Sequence, residues 1–208
     1  MRSMRSAVVL GMLAAPMAWP HPLAAQARQT SADEYTRYEL LAPGSTQFKI
    51  TYDVTATTPG ATAFYNPIRK GSVATDESVW DPTTGRPLVW SVVTGAAARA
   101  AGFADADAET DYIRVTLPRP VAMNGEIRIR IVKTYADGKS YFAGADTVAF
   151  VRSLSIKYNA VVLPPGFELV GVNYPSQVLT ETDGRIKVTF MNPGPDPISY
   201  VVRGRRIP

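Results

Sequence analysis

The stretch DTVAFVRSLSIKYNAVVLPPGFELVGVNYPSQVLTETDGRIKVTFMN, from Asp146 to Asn192, decides the fold. Apolar and polar residues interleave from Phe150 to Lys157, and the apolar run Ala160 to Leu163 stops at Pro164-Pro165-Gly166. Two further alternating runs meet at Asp183-Gly184, a pair that tolerates the positive φ angles of a hairpin turn. Strands and turns at this density predict a β-sheet core.

The rest of the chain repeats the pattern. The run from Phe48 to Val54 puts every second apolar residue on one face, as in a half-buried strand, and similar runs lie at Tyr112 to Leu117 and Ile127 to Thr134. Turn signals recur between the runs, and no long helical period interrupts them. The sequence predicts an all-β fold, an antiparallel immunoglobulin-like β-sandwich of about nine strands, in one domain spanning residues 28–208.

Residues 1–27 have the composition of a secretory signal segment. Arg2 and Arg5 form a positive start, the run Ala7 to Ala18 is apolar, and Ala25-Gln26-Ala27 is a small-x-small cleavage site. The apolar run is shorter than the ~20 residues that a membrane helix needs. We expect cleavage after Ala27 and a periplasmic or extracellular location. An uncleaved anchor, with the domain peripheral on the outer face of the inner membrane, is the alternative.

The residue types that remain after this segment exclude several kinds of active site. The chain has one histidine, His21, and no cysteine. Histidine-dependent triads, cysteine nucleophiles and thiolate or imidazole zinc sites are therefore excluded for residues 28–208. Removal of Arg2 and Arg5 lowers the net charge from +4 to +2, which does not imply a nucleic-acid partner. We expect a protein that is not an enzyme and has no cofactor.

Two carboxylate patterns are weaker candidates. Asp105, Asp107, Glu109 and Asp111 alternate as calcium ligands do, but an EF-hand loop starting at Asp105 would lack the glycine at its sixth position and would have Thr116 at its twelfth. We interpret this segment as an exposed acidic loop without a metal. A hydrolase built from two converging acids stays open, because distant strands can bring carboxylates together.

Three aromatic residues near predicted turns are candidates for surface contacts. Trp80, Tyr141 and Tyr158 would stack on sugar rings or anchor a protein partner if their rings are exposed. Packing in the core or in turns is the alternative.

Three basic residues follow the last predicted strand. Arg203, Arg205 and Arg206 are expected to form an exposed tail that attracts acidic lipid head groups or an acidic protein face. A solvated terminus without such a role is the alternative.

Several segments resemble a domain of uncharacterised exported bacterial proteins: Tyr38–Leu41, Phe48–Val54, Asn159–Pro164, Gly166–Leu169 and Asp183–Ile186. In outline this domain is similar to the N-terminal β-sandwich that precedes the catalytic domain of gluzincin aminopeptidases. The helix bearing His-Glu-x-x-His, which carries the chemistry of those enzymes, has no counterpart in this sequence. The resemblance implies a non-catalytic sandwich standing alone.

These observations lead to two expected functions. The first is an accessory or stabilising subunit of an envelope or membrane-protein assembly, with protein partners and, through the basic C-terminus, acidic lipid head groups. The second is a glycan-binding module of the periplasm or cell surface.

Overall fold

The structure is a computed structural model that describes residues 28–208. The predicted signal segment, residues 1–27, lies outside the described residues. In chain order the elements are β1 (Ser31–Leu40), β2 (Gln47–Ala56), β3 (Ala63–Pro67), β4 (Val73–Asp81), β5 (Arg86–Pro87), β6 (Trp90–Thr94), α1 (Gly95–Ala100), β7 (Asp111–Thr116), β8 (Ile127–Ala136), β9 (Tyr141–Ala143), β10 (Thr147–Leu154), β11 (Tyr158–Val162), β12 (Phe167–Val172), β13 (Gln177–Thr180), β14 (Ile186–Met191) and β15 (Ile198–Arg206).

The strands form three sheets. The large sheet has the order β13-β14-β11-β1-β2-β8-β4-β5, the four-stranded sheet has β12-β15-β10-β9, and the three-stranded sheet has β3-β7-β6. All pairs are antiparallel except β1 with β11, which run parallel. The predicted all-β sandwich is confirmed, with fifteen strands in residues 28–208 rather than about nine. The additional strands include the short β5 and β9, which are too brief to show a period of two.

Alternation along β2 sets the position of the core. Phe48, Ile50, Tyr52 and Val54 lie on one face of the large sheet and are all buried. The four-stranded sheet covers the Phe48 end, where the ring of Phe150 lies 5.4 Å from that of Phe48, measured between centroids.

The three-stranded sheet packs on the same face of the large sheet. Phe64, Ile113 and Val115 belong to the same buried cluster as Val54 of β2 and Ile129 of β8. The two smaller sheets therefore lie on one face of the large sheet, over different parts of it.

The segment after β6 begins with the short helix α1, which Thr94 caps by accepting a hydrogen bond from the N–H of Ala97. Residues 28–208 include no helix with the length and hydropathy that a membrane span needs.

Candidate functional site

An open groove lies at one end of β11 and β14 in the large sheet. Tyr35, Tyr158, Phe190 and Met191 line it together with the segment Pro175 to Gln177, and its volume is about 730 Å³. Tyr158 is 44% exposed and Met191 is 48% exposed, so both present apolar surface to solvent. We call this feature the Tyr158 groove.

Strand register places these side chains together. Tyr35 of β1 is directly opposite Tyr158 of β11, and Tyr158 is directly opposite Met191 of β14. Directly paired residues point to the same side of a sheet, with Cβ atoms ~5 Å apart. The three side chains therefore form one row across three strands. The ammonium of Lys157 lies 5.5 Å from the ring centroid of Tyr158.

Asn159 borders the groove with an unsatisfied acceptor. Its side chain is 1% exposed, and its Nδ2 donates a 2.6 Å hydrogen bond to the carbonyl of Ile156. Within the part of the chain that the structure describes, its Oδ1 has no hydrogen-bond partner. A buried acceptor left unpaired costs ~1–3 kcal/mol of folding free energy, and its burial keeps it out of reach of a molecule bound in the groove.

The free edge of the large sheet begins beside the groove. Strand β13 pairs on one side with β14 and is the outermost strand. All four of its residues are exposed, including Val178 at 52% and Leu179 at 45%. Unpaired N–H and C=O groups along such an edge can pair with an added strand.

Of the predicted aromatic residues, Tyr158 alone lies in the groove. Trp80 is 39% exposed on β4, opposite Arg130 of β8. Four strand spacings separate β4 from β11 in the large sheet, which corresponds to roughly 19 Å. Trp80 and Tyr158 therefore do not share a site.

The prediction that Tyr141 makes a surface contact is wrong. Tyr141 has 0% exposure, and its hydroxyl donates a 2.9 Å hydrogen bond to the carbonyl of Leu41. Strand β9 pairs with β10, placing Tyr141 opposite Phe150 of the core, while the next residue, Phe142, points outward and is 46% exposed. Tyr141 is a core residue because of this alternation.

The three arginines are exposed, but the prediction of a tail after the last strand is wrong. Arg203, Arg205 and Arg206 lie on β15, which is an internal strand of the four-stranded sheet and pairs with both β10 and β12. Arg205 Nε donates a 3.0 Å hydrogen bond to Glu168, and the guanidinium of Arg206 lies 5.0 Å from the ring centroid of Phe167. Pairing on both sides of β15 keeps this segment in the sheet.

The acidic segment stabilises its own turn. Asp107 accepts hydrogen bonds from the N–H of Glu109 and the hydroxyl of Thr110, and its carboxylate lies 3.3 Å from the ammonium of Lys70. No cluster of three or more His, Cys, Asp or Glu side chains in residues 28–208 is arranged to hold a metal ion.

Two buried cations were not among the predicted site residues. Lys133 of β8 is 4% exposed and Arg152 of β10 is 6% exposed. Each continues the inward-facing alternation of its strand, Lys133 after Ile129 and Ile131, and Arg152 between Phe150 and Leu154. The sequence contains a signal for both residues, because each is a charged residue at an inward-facing position of an alternating strand.

Comparisons with known proteins concern the fold. No family model matches the chain, and no curated protein matches it by sequence. Among solved structures, a mutant of the M1 zinc metallopeptidase from Deinococcus radiodurans matches 89% of this chain and 44% of its own, with 13% identity and a TM-score of 0.52. A second structure of the M1 zinc metallopeptidase from that organism matches 83% of this chain and 41% of its own, with a TM-score of 0.51.

This similarity confirms, at the level of the fold, the predicted resemblance to a β-domain of these peptidases. The chain spans less than half the length of the matched metallopeptidase chains.

Proposed function

We propose that this protein is a non-catalytic, exported interaction domain that acts as an accessory subunit of an envelope or membrane-protein assembly. In this proposal an extended segment of the partner protein pairs with the free edge of β13 and inserts an apolar side chain into the Tyr158 groove. The observation that carries the proposal is the exposed edge strand directly beside an open apolar groove.

The chemistry of the site supports binding of an extended chain. Main-chain hydrogen bonds along a sheet edge give affinity, and a pocket beside the edge selects a side chain. Tyr158 and Met191 supply exposed apolar area for such a contact, and aromatic anchors contribute strongly to binding energy. The signal-like composition of residues 1–27 supports export and an envelope location.

The test is a pull-down of the tagged protein from detergent-solubilised envelope at low and high salt, followed by mass spectrometry. We expect one partner in fixed stoichiometry, retained at high salt because the contact is mainly apolar. Met191→Lys in the groove should abolish its recovery. Met123→Lys is the matched control, since Met123 is 78% exposed in the loop before β8. Recovery of the protein alone, or equal recovery by both variants, would contradict the proposal.

Glycan binding in the same groove is the second candidate. The exposed ring of Tyr158 provides a surface on which a sugar ring can stack. In this case Tyr158→Ala should abolish retention on an insoluble cell-wall polysaccharide. If neither cell-wall nor storage glycans retain the native protein, glycan binding is excluded.

A further inference from the structure

A second cavity lies on the inner face of the large sheet, between the two smaller sheets. Tyr38, Tyr52 and Lys133 of the large sheet line its floor, Asn66 of β3 lies on one side, and Arg152 of β10 lies on the other. Its volume is about 210 Å³. We call it the cationic cleft.

The ammonium of Lys133 has no negative partner in the cleft. Its Nζ donates a 2.7 Å hydrogen bond to Asn66 Oδ1 and lies 5.1 Å from the ring centroid of Tyr135. Among residues 28–208 it forms no ion pair with a carboxylate, although the side chain is 4% exposed. A buried ammonium is costly without a paired charge, so this arrangement favours a bound anion.

Arg152 presents further donors to the same space. Its Nη1 donates to Asp137 at 3.2 Å and to Ser140 at 3.1 Å. Its hydrogen bonds to the described residues all come from Nη1, which leaves the donors on Nε and Nη2 for a ligand. The guanidinium lies 5.3 Å from the ring centroid of Phe48 and 5.5 Å from that of Tyr135. Contacts with these two rings hold it in position.

The charge balance around Lys133 is positive. Asp137, the carboxylate beside Arg152, is already engaged by that guanidinium and by Ser140. The negative charge of Glu77 favours the protonated form of Lys133, but Glu77 forms no ion pair with it. The titratable and charged groups that face Lys133 are Tyr38 of β1, Tyr52 of β2, Glu77 of β4, Tyr135 of β8, Arg152 of β10 and Arg69 of the loop after β3.

We propose that the cationic cleft is a binding site for a small oxyanion, a phosphate or carboxylate group, held between the Lys133 ammonium and the free donors of the Arg152 guanidinium. Guanidinium and ammonium groups are the usual partners of such anions, with short, charge-assisted hydrogen bonds. The cleft is smaller than the roughly 300–1,000 Å³ of sites for drug-sized ligands, which restricts it to one such group. The site is independent of the Tyr158 groove, because it lies on a different part of the sheet.

Protonation of Lys133 couples to this binding. Burial is the largest cause that lowers the pKa of Lys133, the nearby charge of Arg152 is the second, and the resulting pKa is about 7. A bound anion favours the ammonium form and raises that pKa. Affinity should therefore be higher at pH 6 than at pH 8.5 when the anion itself does not titrate over this range.

The first test is isothermal titration calorimetry of the purified protein with inorganic phosphate, sulfate and acetate at constant ionic strength in chloride. We expect saturable one-to-one binding of at least one of the three, reduced at least tenfold by Lys133→Met. Lys49→Met is the matched control, since Lys49 is exposed on the neighbouring strand β2. Sulfate affinity measured at pH 6 and pH 8.5 tests the proton coupling.

The second test keeps the proposal falsifiable if Lys133→Met does not fold. Reductive methylation of the native protein, followed by mass spectrometry, measures how fast the amine of Lys133 reacts. The binding anion should slow modification of Lys133 at least tenfold and leave Lys49 unchanged. The affinities for inorganic phosphate and for glycerol phosphate are compared to identify the source of the anion. Tighter binding of inorganic phosphate indicates a free ion, and tighter binding of glycerol phosphate indicates a lipid head group. The proposal would be overturned if none of the three anions binds saturably. It would also be overturned if Lys133→Met and Lys49→Met both bind the anion as tightly as the native protein.

Discussion

The ammonium of Lys133 donates a 2.7 Å hydrogen bond to Oδ1 of Asn66, which joins β8 of the large sheet to β3 of the three-stranded sheet through a neutral partner. This contact has an energetic consequence. A buried lysine whose partner is an amide stabilises the folded state less when it is charged than when it is neutral.

The first prediction concerns the pH dependence of folding stability. Burial lowers the pKa of Lys133 from 10.5 to about 7 in the folded protein. Below pH 7 Lys133 is protonated in both the folded and the unfolded protein, and the folded protein carries the full cost of the buried charge. As pH rises from 7 toward 10.5, the folded state loses the proton first and this cost is relieved. The unfolding free energy of the native protein should rise relative to Lys133→Met by up to about 1.4 kcal/mol per pH unit.

Urea unfolding of the native protein and Lys133→Met at pH 6.5 and pH 9 in chloride buffer measures this difference. Lys49→Met, on the exposed face, should track the native protein at both pH values. Parallel behaviour of the native protein and Lys133→Met would show that Lys133 stays protonated in the folded state.

The second prediction concerns Glu181, which follows β13. Both carboxylate oxygens of Glu181 accept hydrogen bonds from Arg37, at 2.6 and 2.5 Å, and Lys187 lies 3.3 Å away. These partners lower the pKa of Glu181 to about 2, with the Arg37 hydrogen bonds the largest cause. The stabilisation is present above the ordinary value of 4.5 and is lost as pH falls toward 2. Glu181→Gln should cost about 1–2 kcal/mol at pH 7.

Urea unfolding at pH 7 and pH 2.5 checks this prediction, because the difference between the two proteins should shrink at the lower pH. Glu126→Gln, at an exposed position before β8, should change stability little at either pH. An equal cost at both pH values would show that packing rather than the ionised carboxylate is responsible.

The third prediction tests the core position of Tyr141. Tyr141→Phe removes the hydroxyl that donates to the carbonyl of Leu41, so the unfolding free energy should fall by about 1 kcal/mol. Binding of a partner or a glycan should be unaffected, since the ring is buried. Burial also raises the pKa of Tyr141 to about 12, so its ionisation should be absent from a spectrophotometric titration at pH 10. If Tyr141→Phe lost binding while its stability stayed unchanged, Tyr141 would be a contact residue after all.

The fourth prediction concerns the arginines of β15. Deletion of residues 203–208 would remove part of an internal strand, so charge is better tested by substitution. If Arg203, Arg205 and Arg206 contact acidic lipid head groups, changing all three to Gln should weaken binding to anionic vesicles at least tenfold, at ~1 kcal/mol per charge. Removing the same charge at the exposed residues Arg86, Arg119 and Lys139 should have a smaller effect. Equal losses would indicate a response to net charge alone.

The sequence allowed the local structure to be predicted wherever alternation and turn chemistry are both strong. Asp183-Gly184 lies in the turn between β13 and β14, and Gly184 adopts a φ of 82°, as the hairpin prediction required. Position 141 is different, because β9 has three residues and its alternation does not reveal which of Tyr141 and Phe142 faces the core.

The sites depend on strand pairing and sheet packing between residues that are far apart in the sequence. The Tyr158 groove requires the parallel pairing of β1 with β11, which brings Tyr35 beside Tyr158 across more than a hundred residues of chain. The cationic cleft forms because two smaller sheets cover the large sheet incompletely. Alternation placed Lys133 and Arg152 on inward faces, but their proximity follows from the packing of β8 and β10.

The most direct test of the central claim is photo-crosslinking from the groove. The protein with benzoylphenylalanine in place of Tyr158 is expressed in cells, and the intact cell envelope is irradiated and analysed by mass spectrometry. The same replacement at Met123 is the control. We expect one defined adduct from position 158, mapped to an extended segment of a single envelope protein, and none from position 123. No protein adduct from position 158, or the same adducts from both positions, would contradict the account of this groove as a partner-binding site.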